Sequence, residues 1–175
     1  MISAPFFCNF HRQPSLFEVN TFGKYISWIN LALVLLICTD VLLRYFFAAT
    51  RTWVIELEWH LFAAIFLLGA AYAYKNDQHV RVDVFYQNMP PIRKAWINLV
   101  GNLVFLLPWT IVVIYVSSKY TYQSWLVREI SPDPGGLPAR YIIKGAITFG
   151  FSLLMLESIR QAFASWKMIK AAENP

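Results

Sequence analysis

Two cysteines, Cys8 and Cys38, are all that 175 residues contain, one in the N-terminal stretch and one inside an apolar run. They cannot build a disulfide framework or a CxxC redox or metal motif, so both read as free thiols. There are only three histidines, and His11 and His79 lie outside the apolar runs, which excludes the facing His pairs of a haem bundle. Charge is scarce as well: 14% of residues are charged, against about 25% in a soluble domain. The opening Met1-Ile2-Ser3-Ala4-Pro5 lacks the basic-then-apolar order of a cleaved secretory signal, so the first apolar segment is expected to be retained. No internal repeat, low-complexity run or extramembrane domain is evident, and no cofactor is implied.

What the chain has instead is apolar surface. Hydrophobic residues make up 58% of it, above the roughly 45–50% of soluble proteins, and that excess needs lipid rather than a larger core. The formal charge of +5 is scattered between apolar runs instead of forming one basic face, which argues against nucleic acid. Four stretches approach the roughly 20 residues that cross about 30 Å of hydrocarbon as a helix. The expected fold is therefore an all-α integral membrane protein: one membrane domain over 1–175 with four transmembrane helices, near 26–47, 56–74, 95–117 and 141–159, joined by short loops.

Before the first span, Ser15 and Glu18 have capping-box spacing, and Leu16, Val19 and Phe22 share a helical face. A short N-terminal interfacial helix is the reading, with an irregular tail as the alternative because Gly23 interrupts the pattern. Small residues around Gly69 in the second span suit close helix approach. Pro108 is expected to kink the third helix, with neighbouring helices satisfying the freed carbonyl. The stretch from His79 to Tyr86 alternates polar and apolar residues and reads as an amphipathic segment at the lipid surface. Trp28, Trp53, Tyr74, Trp125 and Trp166 suit interface anchors.

Lys and Arg in the short loops set orientation. Arg12, Lys24, Lys75, Arg81, Arg93, Lys94, Arg160, Lys167 and Lys170, nine in all, lie on one side, against Arg51, Lys119, Arg128 and Arg140 on the other. The N- and C-termini are accordingly expected to be cytoplasmic. The proline- and glycine-rich segment from Glu129 to Arg140 then forms a shaped loop on the outer face.

Glu56, Glu58 and His60 resemble a metal cluster at first, but only Glu56 and His60 share a helical face, and two ligands do not close a site. They read as groups at the outer mouth of the second span that bond neighbouring helices or a partner. Asp40 and Arg44, four apart, read as an intrahelical ion pair, with a charge on a substrate path as the sharper alternative. Asn98 and Asn102 share a face and read as interhelical glue. Lys144 is placed to snorkel, and Glu157 to pair with Arg160 or Gln161.

Three stretches carry a family likeness: Glu56-Leu57-Glu58-Trp59-His60-Leu61-Phe62, then Leu67-Leu68-Gly69-Ala70-Ala71-Tyr72, then His79-Val80-Arg81-Val82-Asp83. With Ser131-Pro132-Asp133-Pro134-Gly135-Gly136-Leu137-Pro138-Ala139-Arg140-Tyr141, the chain resembles the small membrane subunit of tripartite ATP-independent periplasmic (TRAP) transporters over roughly residues 20 to 160. Trp59-His60 departs from the pattern of common members, which leaves His60 to packing.

The resemblance implies a bacterial inner-membrane importer in which a soluble periplasmic substrate-binding protein captures an organic acid. A large membrane subunit then moves the acid inward with sodium by an elevator motion. The small subunit is implied to be a static scaffold, not an enzyme, with the large subunit, the receptor and membrane lipids as its partners. Substrate and sodium sites are expected in the large subunit. Asp40, Arg44, Glu56, Glu58, His60, Gly69, His79, Asp83, Asn98, Asn102 and Lys144 are then structural or inter-subunit residues, and Arg51, Arg128 and Arg140 are candidates for receptor docking. The alternative is an independent four-helix homo-oligomeric transporter or channel using Asp40. A membrane enzyme or redox subunit is a third reading, which His60 and Cys38 alone do not sustain.

Overall fold

A backbone in hydrocarbon has no water to satisfy its N–H and C=O groups, so each apolar run must close its own hydrogen bonds as a helix. The computed structural model of the protein describes residues 19–48, 51–75 and 89–173, with side chains from Tyr25 to Ala172 within those ranges. It contains α1 (Val19–Phe47), α2 (Thr52–Lys75), α3 (Pro91–Gly101), a π-helical turn (Asn102–Leu106), α4 (Leu107–Leu126) and α5 (Tyr141–Glu173). Four segments are long and apolar enough to span a bilayer: Tyr25–Phe47, Thr52–Lys75, Pro91–Leu126 and Tyr141–Ala172. Among the described residues there is no strand.

The helices outrun the expected spans. The third segment has 36 residues and the fourth 32, about 54 and 48 Å at 1.5 Å per residue, against about 30 Å of hydrocarbon. Apolarity ends at the lipid boundary, but nothing in the flanking sequence breaks the helix there. Pro91 at the first turn starts α3 early, because the missing N–H is one that no helix would use there. Likewise α1 runs from Val19 without a break at Gly23. The described part of the expected interfacial helix is thus the first turns of α1, continuous with the span, and residues 14–18 lie outside the described residues. So does the amphipathic stretch with His79, Arg81 and Asp83.

Where a kink is expected at Pro108, the structure has the π turn just ahead of it. The Leu107 N–H reaches back five residues to the Asn102 carbonyl. Pro108 has no N–H to give to Val104, and its ring crowds that carbonyl in a regular α-helix. One wider turn just ahead of it absorbs the mismatch.

α5 is the central helix and packs on α2, α3 and α4, while α1 packs on α2. Ile26, Ile29, Leu33, Leu36 and Asp40 are the more covered residues of α1, spaced three and four apart as in a coiled-coil seam. The remaining faces of α1, with Trp28, Leu35, Leu42 and Phe46, are exposed, as is Cys38. On α4 the buried stripe is Thr110, Ser117 and Ser124, seven apart. These small side chains let α5 approach, and Thr148 Oγ1 donates to Ser117 Oγ at 2.9 Å.

α2 and α5 approach closely at Gly150, where a Cβ would sit 2.8 Å from the Leu67 carbonyl oxygen. Only a bare Cα fits there. Gly69, the residue expected to serve close approach, has open space within 4 Å of where its Cβ would be. Among the described residues nothing packs against it there, while Ala71, another of the small residues around it, is buried.

Candidate functional site: a loop clamped by two acids

The loop between α4 and α5 closes one end of the bundle, here termed the loop end, where α1 finishes and α2 begins. α4 stops in a Schellman motif: the Arg128 N–H donates to the Trp125 carbonyl at 2.9 Å and the Glu129 N–H to the Ser124 carbonyl at 3.0 Å. The left-handed position of that motif is usually glycine, but here it is Arg128, at φ 46°. The chain then makes a compact turn. Gly136 N–H donates to the Asp133 carbonyl at 3.0 Å and Ser131 N–H to the Leu137 carbonyl at 3.2 Å, with Gly135 left-handed at φ 76°.

Two carboxylates hold this loop. Glu56 on α2 is buried; it accepts a hydrogen bond from the Ser131 hydroxyl and one from the Leu137 N–H at 2.5 Å. A side chain at residue 136 would intrude on it, because a Cβ on Gly136 would lie 2.8 Å from Glu56 Oε2. At the other root of the loop, Glu129 accepts from Ser124 Oγ at 2.7 Å and pairs with Lys144 of α5. The Arg140 N–H donates to the Glu129 carbonyl at 3.1 Å, closing the neck. The Lys144 ammonium, and after it the Ser124 hydroxyl, hold the Glu129 carboxyl below its usual range, so it stays ionised.

Lys144 therefore does more than snorkel: it spans Glu129 and the face of Tyr120, 3.9 Å from the ring centroid. His60 shares a face with Glu56, yet its Nδ1 lies 2.5 Å from the Glu56 backbone carbonyl, not from the carboxylate. Its ring leans on Trp59, 3.8 Å between centroids. Among the described residues no group of three or more His, Cys, Asp or Glu side chains could hold a metal. Glu58 Oε1 is buried with no hydrogen-bond partner among the described residues.

At the opposite end, here the tail end, Tyr74 of α2 donates its hydroxyl to Asn102 Oδ1. Ser158 of α5 approaches the same oxygen at 3.5 Å, and Gln161 Nε2 donates to the Tyr74 carbonyl at 2.9 Å. Asn102 is buried at the first position of the π turn, so this node ties α2, the turn and α5 together. Asn98 lies one turn before, half-buried. Glu157 pairs with Arg160 at 3.5 Å. Within α1, Asp40 is buried and is bonded by Arg44, whose side chain is 53% exposed.

The structure thus brings Glu56, His60, Arg140 and Lys144 to the loop end, puts Asn102 at the tail end and leaves Asp40 with Arg44 in the α1–α2 seam. Arg51 and Arg128 are exposed, whereas Arg140 is half-buried, its guanidinium 5.8 Å from the Trp59 ring centroid. Glu129 and Ser131 are participants that sequence reasoning did not single out, and Tyr74, read there as an interface anchor, is instead buried on Asn102. Glu129 and Ser131 sat unremarked in the proline- and glycine-rich segment; their acid and hydroxyl among turn residues were the available signal.

Residues 33–168 match the model of the DctQ component of tripartite ATP-independent periplasmic transporters. The chain belongs to that family. It is 25% identical to the C4-dicarboxylate TRAP transporter small permease protein DctQ of Vibrio cholerae, over 79% of this chain and 66% of that protein. It is also 30% identical to a protein of Haemophilus influenzae named as a TRAP transporter small permease protein, over 42% of this chain and 45% of that protein. The chain thus spans less than two-thirds of the length of each of these relatives. As a DctQ-family chain with four helices long and apolar enough to cross a bilayer, it is a multi-pass inner-membrane protein.

Proposed function

We propose that this subunit is a static scaffold that supports a large membrane subunit during sodium-driven, receptor-dependent import of an organic acid. The observation that supports this reading is how four ionisable groups of the spans are used. Asp40 pairs with Arg44, Glu56 holds the loop, Lys144 holds Glu129, and Glu157 pairs with Arg160. Charges within a membrane that serve transport face a path and change partners; these are committed to fixed internal contacts. Exposed apolar side chains cover much of α1 and α4, which suits contact with lipid and with another membrane subunit.

In this reading the loop end faces the periplasm, the two termini face the cytoplasm, and the exposed Arg51 and Arg128 steer an acidic receptor surface. Arg140, half-buried against Trp59, is a weaker steering group. C4-dicarboxylates, named for the Vibrio relative, are the first acids to test. The deciding experiment reconstitutes the large subunit and receptor in liposomes with and without this chain, and imposes a sodium gradient. Uptake only when all three are present is expected; uptake by this chain alone refutes the scaffold role and revives the homo-oligomeric alternative through Asp40. For orientation, an Asp133→Cys variant, at an exposed position of the loop, should react with an impermeant thiol reagent in intact cells and a Lys170→Cys variant should not, in a background without Cys8 and Cys38.

A further inference from the structure

A groove of about 460 Å³ opens between α2, α4 and α5 at the loop end, a size within the roughly 300–1,000 Å³ of small-ligand sites. Its walls are Phe62, Ala63, Phe66, Leu67, Ile143 and Ile147, and its mouth carries Trp59, Tyr120, Arg140 and Lys144. We propose that the groove holds one acyl chain of a membrane phospholipid whose phosphate rests on Arg140.

The charges at the mouth single out Arg140. Glu129 engages Lys144 and Ser124, and Glu56 engages Ser131 and Leu137, so both nearby acids are occupied. Among the described residues Arg140 has no carboxylate within ion-pairing distance. Its guanidinium stands half-buried over Trp59, and a guanidinium offers paired N–H donors that match two phosphate oxygens. A cation at the end of an otherwise apolar groove complements a ligand with an anionic head and an apolar tail.

The depth of the groove fits the same ligand. From Trp59 to Leu67 along α2 is about 12 Å, so the groove runs through the middle of the Thr52–Lys75 span, at the depth of the hydrocarbon. A soluble carboxylate or free phosphate would gain nothing from walls of Phe62 and Phe66, which are 63% and 69% exposed. Water in a groove so lined lacks polar partners.

The test uses the full chain in nanodiscs, labelled by a phosphatidylglycerol carrying a diazirine on its acyl chain, beside a matched diacylglycerol probe without phosphate. Labelling should concentrate on 59–67 and 143–147, with the phosphate-bearing probe favoured by about tenfold. Arg140→Gln should bring the two probes to near parity, and Ala63→Trp, which fills the groove, should abolish the peak while α1 labelling stays constant as a control for folding. Even labelling of all exposed faces, or a peak that neither substitution alters, overturns the proposal. So does loss of the peak when the large membrane subunit is co-purified, which would give the groove to a side chain of that partner. Uptake is not read in this experiment, so its failure leaves the scaffold reading standing.

Discussion

Glu56 and Leu137 are 81 residues apart in sequence, yet the Leu137 N–H donates to the Glu56 carboxylate at 2.5 Å. With the Ser131 hydroxyl on the other oxygen, one acid near the start of α2 fixes the tip of a loop that no regular structure supports. A carboxylate suits this place because it only accepts, and both groups pointing at it donate.

Replacing Glu56 by Gln keeps the shape but weakens both bonds, since neither is charge-assisted any longer and the Ser131 hydroxyl must turn to accept from the new Nε2. Glu56→Gln should therefore free the loop more than Ser131→Ala, which removes one donor and leaves the Leu137 bond. Limited proteolysis of the purified chain checks this: cleavage within 130–138 should rise in the order wild type, Ser131→Ala, Glu56→Gln. Equal rates in all three would show that the clamp does not hold the loop.

Two glycines on facing helices should behave in opposite ways. At Gly150 an added Cβ would meet the Leu67 carbonyl oxygen at 2.8 Å, and such overpacking costs about 1–3 kcal/mol. At Gly69 nothing stands in the way, and alanine improves helix propensity by roughly 0.5–1 kcal/mol. Thermal unfolding in detergent should show Gly150→Ala destabilised and Gly69→Ala neutral or stabilised. If Gly69→Ala also blocks co-purification with the large subunit, the open face of Gly69 is the contact surface.

The Glu129–Lys144 clamp has a pH dependence of definite sign. Because the folded state holds the Glu129 carboxyl below the 4.5 of a free glutamate, the clamp is fully present above that value and is lost as pH falls through the lower folded one. Wild type should melt higher than Glu129→Gln at neutral pH, and the gap should narrow only below the free-glutamate value. A gap that closes already between pH 8 and pH 6 would point to some other group.

The spans were legible because about twenty apolar residues in a row have one physical solution in lipid. Their lengths were not, since hydropathy stops at the bilayer while α3 and α5 continue; Pro91 was a start signal passed over. Pro108 announced a disturbance, but the choice of a π turn also reflects packing that puts Asn102 against Tyr74 and Ser158. Asp40 with Arg44 could be paired on paper because the contact is four residues long. Glu56 could be placed at a helix mouth, but its donors Ser131 and Leu137 lie across a fold that short-range pattern does not encode. Lys144 met Glu129 for the same reason of topology.

Asp40 and Arg44 differ in what each loses when the other is removed. Asp40 is buried and Arg44 is half in the open, so Arg44→Ala strands a charge while Asp40→Ala leaves one that can reach the interface. A stranded charge at the centre of a span costs about 2.5–3.5 kcal/mol on insertion scales, and less toward the ends. Arg44→Ala should lower the yield of folded chain more than Asp40→Ala, and the double alanine variant should recover much of the loss. Uptake abolished in a double variant that assembles normally would instead put Asp40 on a transport path.

Arg128 carries a backbone role and a charge in one residue, and substitutions separate them. It occupies the left-handed position of the Schellman motif at φ 46°, where a residue with a Cβ costs roughly 1–2 kcal/mol relative to glycine. Arg128→Gly should therefore raise the melting temperature of the chain. If the exposed guanidinium also steers an acidic receptor, the same variant should lower receptor-dependent uptake, and Arg128→Glu should lower it further. Both losses should shrink as salt is added, because exposed charges are screened within about 8 Å at physiological ionic strength. Arg128→Lys keeps the charge and the strain, so it should match wild type in both assays. A gain in stability with unchanged uptake at every salt concentration would leave Arg128 as a helix terminator alone and remove it from the docking surface.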